Sequence, residues 1–319
     1  MSTSKPNPKS FVPGRRPWFQ ALRFAVACAG VGVTGSIVGL VWPSPDQVAV
    51  DQAPLMGNPA DRVGLSGQTV TLLLVGVDAD ALSDSSNGAA PPGTANADAV
   101  LLARFQNSGA LRVLQIPTEL AVQLPGSDGV VALSGLWQRG GIKLLRDAIA
   151  EIVGLDDGHP QRFVVMSRSA LRSVVDSFGS IDLSLSQPYD YQDLTQNYQI
   201  KLDAGRQSLS GSEVEQLVRY RKNANDNANR RLRQQVLMRA FVDQLKEPEG
   251  TFLLTTMLQS LGQVLETNLS TTEMHSLAAA VVANPDPVEF QQLPLADPVQ
   301  ASPLRQLKPG QVLPLWPAS

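Results

Sequence analysis

The chain has 319 residues, 43% of them hydrophobic and 17% charged, enough to bury one sizeable core once any membrane segment is set aside. Its 26 basic residues against 29 acidic ones leave a net charge of -3, which excludes a global field attracting nucleic acid, so any anion site has to be local. The single cysteine, Cys28, excludes an internal disulfide framework and a cysteine-built zinc site.

From Phe24 to Trp42 the chain carries no charge, over a length that at helical rise is about enough to cross a bilayer core. Arg15, Arg16 and Arg23 precede this run, and Trp18 and Trp42 suit the two interfaces. The pattern predicts a cytoplasmic tail over 1–23, one transmembrane anchor over 24–42, and everything after Pro43 outside, on a single-pass plasma-membrane protein. A cleaved signal peptide competes, but the run is long for a signal core and no clear small-x-small site follows it. Residues 43–67, rich in Pro, Gly, Asp and Gln without apolar periodicity, read as a stalk.

The folded domain is expected over 68–283. Thr69 to Val77 is a continuous apolar run of strand length, as for a central strand covered on both faces, and Asp78 ends it. Ala99 to Phe105 and Leu111 to Ile116 are two further strands joined through Asn107-Ser108-Gly109. Ile142, Leu145, Ile149 and Ile152 recur at helical spacing before Gly154. His159 sits in a Gly-His-Pro turn and His275 in a helical run, neither with a ligand-spaced partner, so imidazole chemistry is not expected. A strand at Phe163 to Val165, a helix from Ser169 to Phe178 and a strand at Ile181 to Leu185 follow. This alternation predicts a three-layer α/β/α domain with a central mixed sheet. Residues 284–319, punctuated by prolines, read as an extended or loosely packed extension.

Ser210-Gly211-Ser212-Glu213 has the form of a capping box opening a helix that ends in Arg219-Tyr220-Arg221. After a polar loop, a second helix starts with Arg230, Arg231, Arg233 and Gln234. Its Leu232, Val236, Leu237, Phe241 and Leu245 are expected on the buried face. Arg219, Arg221 and Arg230 with Gln234 would converge on a small volume, where guanidinium forks and free helix amides suit a pyrophosphate. The competing reading is a solvated, salt-bridged helix face. Only Asp226 and Asp243 lie near enough in sequence to neutralise so many arginines, which favours the anion site.

Gln199 to Arg221 followed by Arg230-Arg231-Leu232-Arg233-Gln234-Gln235 resembles the LytR-CpsA-Psr family, with its Leu-x-Gly, Arg-x-Arg and Arg-x-x-Arg-Gln-Gln elements. Leu72 to Asp78, Asn96-Ala97-Asp98, Ile116-Pro117-Thr118-Glu119, Asp176 to Asp182, Tyr189-Asp190-Tyr191 and Thr267-Asn268-Leu269-Ser270 extend the resemblance over about residues 69–280.

The resemblance implies a membrane-anchored phosphotransferase that uses magnesium to move a glycopolymer from a polyprenyl-pyrophosphate carrier onto bacterial peptidoglycan. Arg219, Arg221, Arg230, Arg233 and Gln234 would hold the pyrophosphate. Asp98 would coordinate the metal, and Asp98, Arg219, Arg221 and Arg230 would form the catalytic set, since phosphoryl transfer is catalysed mainly by positioning and charge neutralisation. Asp226 is a second candidate metal ligand. Asp78 is either a third or simply the cap of the first strand. Three positions depart from the pattern: Asn96 and Thr118 stand for arginines and Asn227 for an aspartate. Each removes a charge, so a noncatalytic envelope protein that binds a lipid-linked pyrophosphate or wall glycan is the alternative. Direct transcriptional control is not expected, because nothing resembles a helix-turn-helix.

Overall fold

The computed structural model describes residues 69–88, 93–106, 110–156, 159–193, 198–223, 226–261, 264–299 and 302–316. The expected tail at 1–23, anchor at 24–42 and stalk at 43–67, and the expected turn at 107–109, lie outside the described residues. Among the described residues no helix is long and apolar enough to cross a membrane.

In chain order the elements are β1 (Val70–Val77), β2 (Ala97–Phe105), β3 (Arg112–Gln115), α1 (Leu136–Val153), β4 (Arg162–Met166), α2 (Arg168–Ser177), β5 (Ile181–Leu185), β6 (Tyr189–Asp193) and β7 (Tyr198–Leu202). They continue with β8 (Gly205–Leu209), α3 (Gly211–Arg219), α4 (Asn227–Lys246), α5 (Pro248–Leu261), β9 (Leu265–Thr267), α6 (Thr271–Ala283) and β10 (Glu289–Gln292).

Six strands form one mixed sheet in the order β9-β4-β1-β2-β3-β10. β1 runs parallel to β4 and antiparallel to β2, while β10 runs parallel to β3. β1 is interior, which is why its sequence is almost wholly apolar.

Alternate residues of β2 serve opposite faces of the sheet. Val100 and Leu102 join Leu145, Ile149 and Val153 of α1 in one core. Ala103, Leu101 and Phe105 join Val242 and Met238 of α4 and Val281 of α6 in the other. Helices thus cover both faces, as expected. α1 bends at Gly140 and Gly141, where the backbone leaves helical values, and ends as predicted at Gly154, whose φ of 77° no β-carbon would tolerate comfortably.

Beside the sheet, β5 pairs with β8 and β6 with β7, and α3 packs on these two ribbons through Val214 and Leu217. Ile181 to Leu185 is therefore a strand, as read, but not one of the central sheet. α5 was not anticipated; Pro248 opens it instead of merely closing α4, since proline loses nothing at a first helical position.

Two expectations are corrected. Leu232 and Val236 are 51% and 41% exposed, whereas Arg230, Arg231, Arg233 and Gln235 are buried, so the first turns of α4 are inverted relative to an ordinary amphipathic helix. The cause is that those guanidiniums find buried oxygen partners.

The C-terminal segment is not loosely packed. β10 is the sixth strand of the sheet, Arg305 pairs with Leu120, Leu315 N–H donates to Val153 O at 2.7 Å, and Trp316 is 1% exposed within the α1 core. Prolines deny donors to a ladder, but the leucines and tryptophan between them still bury.

Candidate functional site

The site forms where β1 ends and β2 begins, opposite the junction of α3 and α4. A register shift at Gly76/Val77 closes the β1–β2 ladder. Beyond it the Asp78 carboxylate accepts from the Asn96 N–H at 2.6 Å and from Asn87 Nδ2 at 3.1 Å.

Asp98, at the start of β2, accepts at Oδ1 from Arg230 Nη1 at 2.7 Å, and Arg230 Nη2 donates to Thr118 Oγ1 at 3.1 Å. Gln234 Nε2 reaches the Asp98 carbonyl at 3.5 Å, and Gln234 Oε1 receives Gln115 Nε2 at 3.1 Å. Gln235 Nε2 donates to Gln115 Oε1 at 2.7 Å, so a buried amide ladder fixes α4 to β3.

On the α3 side the predicted capping box of Ser210 and Glu213 is present. Arg219, in the last turn of α3, donates from Nη1 to Glu215 Oε1 at 3.1 Å.

The electrostatics tie these residues into one cluster. Burial pushes the Asp78 carboxyl above the usual range and the like charge of Asp98 adds to this, against the Asn96 N–H and the Arg219 charge. Burial acts the same way on Asp98, but the Arg230 ion pair and the charges of Arg221 and Arg219 outweigh it and hold that carboxyl below its ordinary value. Arg221 is depressed by burial and by the neighbouring charges of Arg230 and Arg219. Among the described residues Arg221, which is exposed, makes no direct hydrogen bond or ion pair; it feels the like charges of Arg230 and Arg219 and, against them, the carboxylates of Asp98 and Asp78.

Asp78, Asp98, Arg219, Arg221, Arg230 and Gln234 are thus brought together. Arg233 and Asp226 are not. Arg233 lies 7% exposed and donates to the Leu217 carbonyl at 3.1 Å, to the Tyr220 carbonyl, and to Asp226 Oδ2 at 3.4 Å. Its guanidinium also stands over the rings of Tyr189 and Tyr220 at 5.6 and 5.2 Å. It closes the end of α3 onto α4 instead of facing the cluster around Asp98.

Asp226 accepts from Arg233, from Asn229 Nδ2 at 2.5 Å and from the Lys222 N–H at 3.1 Å. Among the described residues no three His, Cys, Asp or Glu side chains form a metal cage. The donor set that fits a divalent ion is the like-charged pair Asp78 and Asp98, since magnesium commonly takes one or two carboxylates and completes its shell with phosphate and water.

The three altered positions also have partners or places. Asn96 Nδ2 donates to the Thr94 carbonyl at 2.7 Å and Asn96 Oδ1 receives Gln138 Nε2 at 3.1 Å. Thr118 serves Arg230, and Asn227 Oδ1 is buried in the first turn of α4 without a partner.

Sequence reading missed Glu215, Arg168, Arg172 and Asp80, which form an ion-pair network behind Arg219. The local signal was present, because a Glu four residues before an Arg on a helix makes a favourable pair.

An open groove of about 760 Å³ lies elsewhere, between α4, α5 and the β5–β8 ribbon, lined by Asp182, Arg206, Val236 and Leu253 among others. None of the clustered arginines or of Asp78 and Asp98 lines it. Convergent, perturbed charges mark the arginine cluster as the better candidate.

A family model described as the LytR_cpsA_psr family matches residues 46–308. The chain belongs to this family. A curated relative is the polyisoprenyl-teichoic acid–peptidoglycan teichoic acid transferase TagT of Bacillus subtilis, 26% identical over 204 residues, 63% of this chain and 60% of that one. The chain spans 56% to 60% of the length of the curated relatives it matches.

Among solved structures, B. subtilis TagV superposes with a TM-score of 0.61 at 16% identity, covering 76% of this chain and 91% of that one. TagT bound to LIIa-WTA superposes at 0.56 with 21% identity over 79% and 87% of the two chains. These likenesses establish the mixed α/β fold.

Proposed function

We propose that this protein is a membrane-anchored phosphotransferase. In this reading residues 24–42 hold it in the plasma membrane and the domain stands outside. It takes a polyprenyl-pyrophosphate-linked glycan and transfers the glycopolymer to peptidoglycan. Family membership supports this, as does the activity of the relative TagT, which transfers teichoic acid from a polyisoprenyl carrier to peptidoglycan.

The observation that carries the reading is Arg221, exposed and without a direct ion pair among the described residues, with the charges of Arg219 and Arg230 beside it and those of Asp98 and Asp78 against them. Two adjacent phosphates match such a set, because guanidinium forks take phosphate oxygens in pairs. An acceptor hydroxyl attacks the glycan-side phosphorus, the phosphoanhydride bond breaks, polyprenyl phosphate leaves and the hydroxyl proton is released. Arg219, Arg221 and Arg230 neutralise the charge that grows on the leaving phosphate, and Gln234 fixes the Asp98 backbone against α4. Asp78 and Asp98 are the residues that would hold magnesium, whose charge would help neutralise phosphate oxygens.

A noncatalytic lipid-pyrophosphate binder is the second reading. It is favoured by the uncharged Asn96 and Thr118, whose side chains are occupied by Thr94, Gln138 and Arg230.

The test is transfer from a polyprenyl-pyrophosphate glycan to peptidoglycan by the full chain with magnesium, against Arg221→Ala. Turnover that falls by about two orders of magnitude in the variant supports the enzyme, in line with loss of one charged transition-state contact. Binding without wild-type turnover selects the second reading, and no binding at all refutes both. A reporter fused after Ser319 that signals from the cytoplasm would overturn the topology.

A further inference from the structure

The network behind Arg219 is built from parts far apart in sequence. Glu215, 6% exposed, accepts at Oε1 from Arg168 Nη1 at 2.9 Å and from Arg219 Nη1 at 3.1 Å, and at Oε2 from Arg172 Nη1. Arg172 Nη2 and Arg168 Nη2 reach Asp80 Oδ1 at 2.6 and 3.4 Å.

The backbones are stitched alongside. Arg168 N–H donates to Ala79 O at 3.0 Å and Ser169 Oγ to Asp80 O at 2.5 Å, so the segment that carries Asp78 is tied to the first turn of α2. Gly211, the first residue of α3, donates to Asp176 Oδ1 at 2.7 Å, and a β-carbon there would collide with the Arg172 backbone. Only glycine lets α3 come this near to α2, and that approach delivers Glu215 to both α2 arginines.

A leucine or alanine at position 215 would satisfy the packing of α3 on its ribbons. A buried carboxylate is costly unless it is fully paired, and this one is paired three times. Burial raises the Glu215 carboxyl, but its bonds to Arg172 and Arg168 more than offset this and keep it ionised. The two outer arginines are in turn held by Asp80, which lies two residues after Asp78.

We infer that Glu215 is a positioning residue for the pyrophosphate site: it holds the Arg219 guanidinium in place and, through Arg168, Arg172 and Asp80, fixes Arg219 relative to Asp78. This rests on the reading that Arg219, Arg221 and Arg230 bind pyrophosphate. Without the Glu215 charge, the guanidiniums of Arg168, Arg172 and Arg219 repel one another, Asp80 balances only the first two, and Arg219 loses its orientation toward the ligand.

The experiment is a double-mutant cycle on the full chain in detergent, with geranylgeranyl pyrophosphate as probe and titration calorimetry as readout. Glu215→Gln keeps the shape and removes the charge; Asp80→Asn, at the exposed end of the network, guards against a folding defect in the first variant. Glu215→Gln is expected to weaken binding about tenfold, and Asp80→Asn about threefold, as moderate couplings between contacting residues do. Neither is expected to weaken it further in an Arg219→Ala background.

A residue that merely stabilises the domain would lower affinity equally in both backgrounds, and that additive result overturns the inference. So does tighter binding in Glu215→Gln, which would make Glu215 a competitor for Arg219. If the wild type binds no probe, or Arg221→Ala binds as well as wild type, the pyrophosphate reading itself fails and the inference falls with it.

Discussion

Replacing Trp316 by alanine tests whether the last residues are part of the fold. The indole is 1% exposed in the core shared by α1 and the sheet, and the Arg104 guanidinium lies 4.6 Å from its ring centre. A buried tryptophan truncated to alanine costs about 3–5 kcal/mol. With partial collapse of the surroundings allowed for, the lower figure of about 3 kcal/mol applies. For a domain of roughly 250 residues each kcal/mol shifts Tm by about 2–4 °C, so a fall of roughly 6–12 °C is expected. The assay is thermal unfolding of the full chain followed by near-ultraviolet circular dichroism. A shift below about 1 °C, as expected for a surface substitution, would refute the buried strap and restore the picture of a loose tail.

Arg231→Met breaks the pair with Glu119 at 2.5 Å, whose side chains are 10% and 9% exposed. Urea unfolding should show a loss of about 3 kcal/mol, because Glu119 is left buried and unpaired. Leu232→Ser, one residue away but 51% exposed, should change stability by less than about 0.5 kcal/mol, and a large loss would contradict the inverted helix. Asp78→Asn should raise Tm at neutral pH while reducing probe binding in the presence of magnesium. The folded carboxyl is held above its unfolded value by burial, so its ionisation costs stability at pH above that raised value. The gain should vanish as pH falls below the ordinary aspartate value, where both states are protonated, and a gain that persists in acid would show that charge is not its cause.

What was legible was local. The apolar run of β1, the helix stop at Gly154, the capping box at Ser210 and the density of arginines between Arg219 and Arg233 each follow from neighbours in sequence. What was not legible was set by topology. Asp98 and Arg230 are 132 positions apart, and Arg168 and Glu215 are 47 apart, so no spacing rule connects them. Arg233 had the same sequence credentials as Arg230; only the fold turns one toward Asp98 and the other toward the carbonyls that end α3. The proline-rich tail misled for a similar reason, since proline count reports lost donors and says nothing about whether Leu293, Leu295, Leu307, Leu315 and Trp316 find a core.

The instructive failure is α4. Periodicity placed Leu232, Val236, Leu237, Phe241 and Leu245 on one inner stripe, and the structure bears this out for Leu245 and, in part, for Leu237 and Phe241. In the first turns the stripe rotates outward and a row of guanidiniums and amides goes in. Burying Arg230, Arg231 and Arg233 is tolerable only because Asp98, Glu119, Asp226 and two main-chain carbonyls wait for them. Such an arrangement stabilises a fold less than apolar side chains of the same volume would. Local rules tend to break where a site is being built, and the place where α4 stops obeying the amphipathic pattern is where it begins to line the charged cluster.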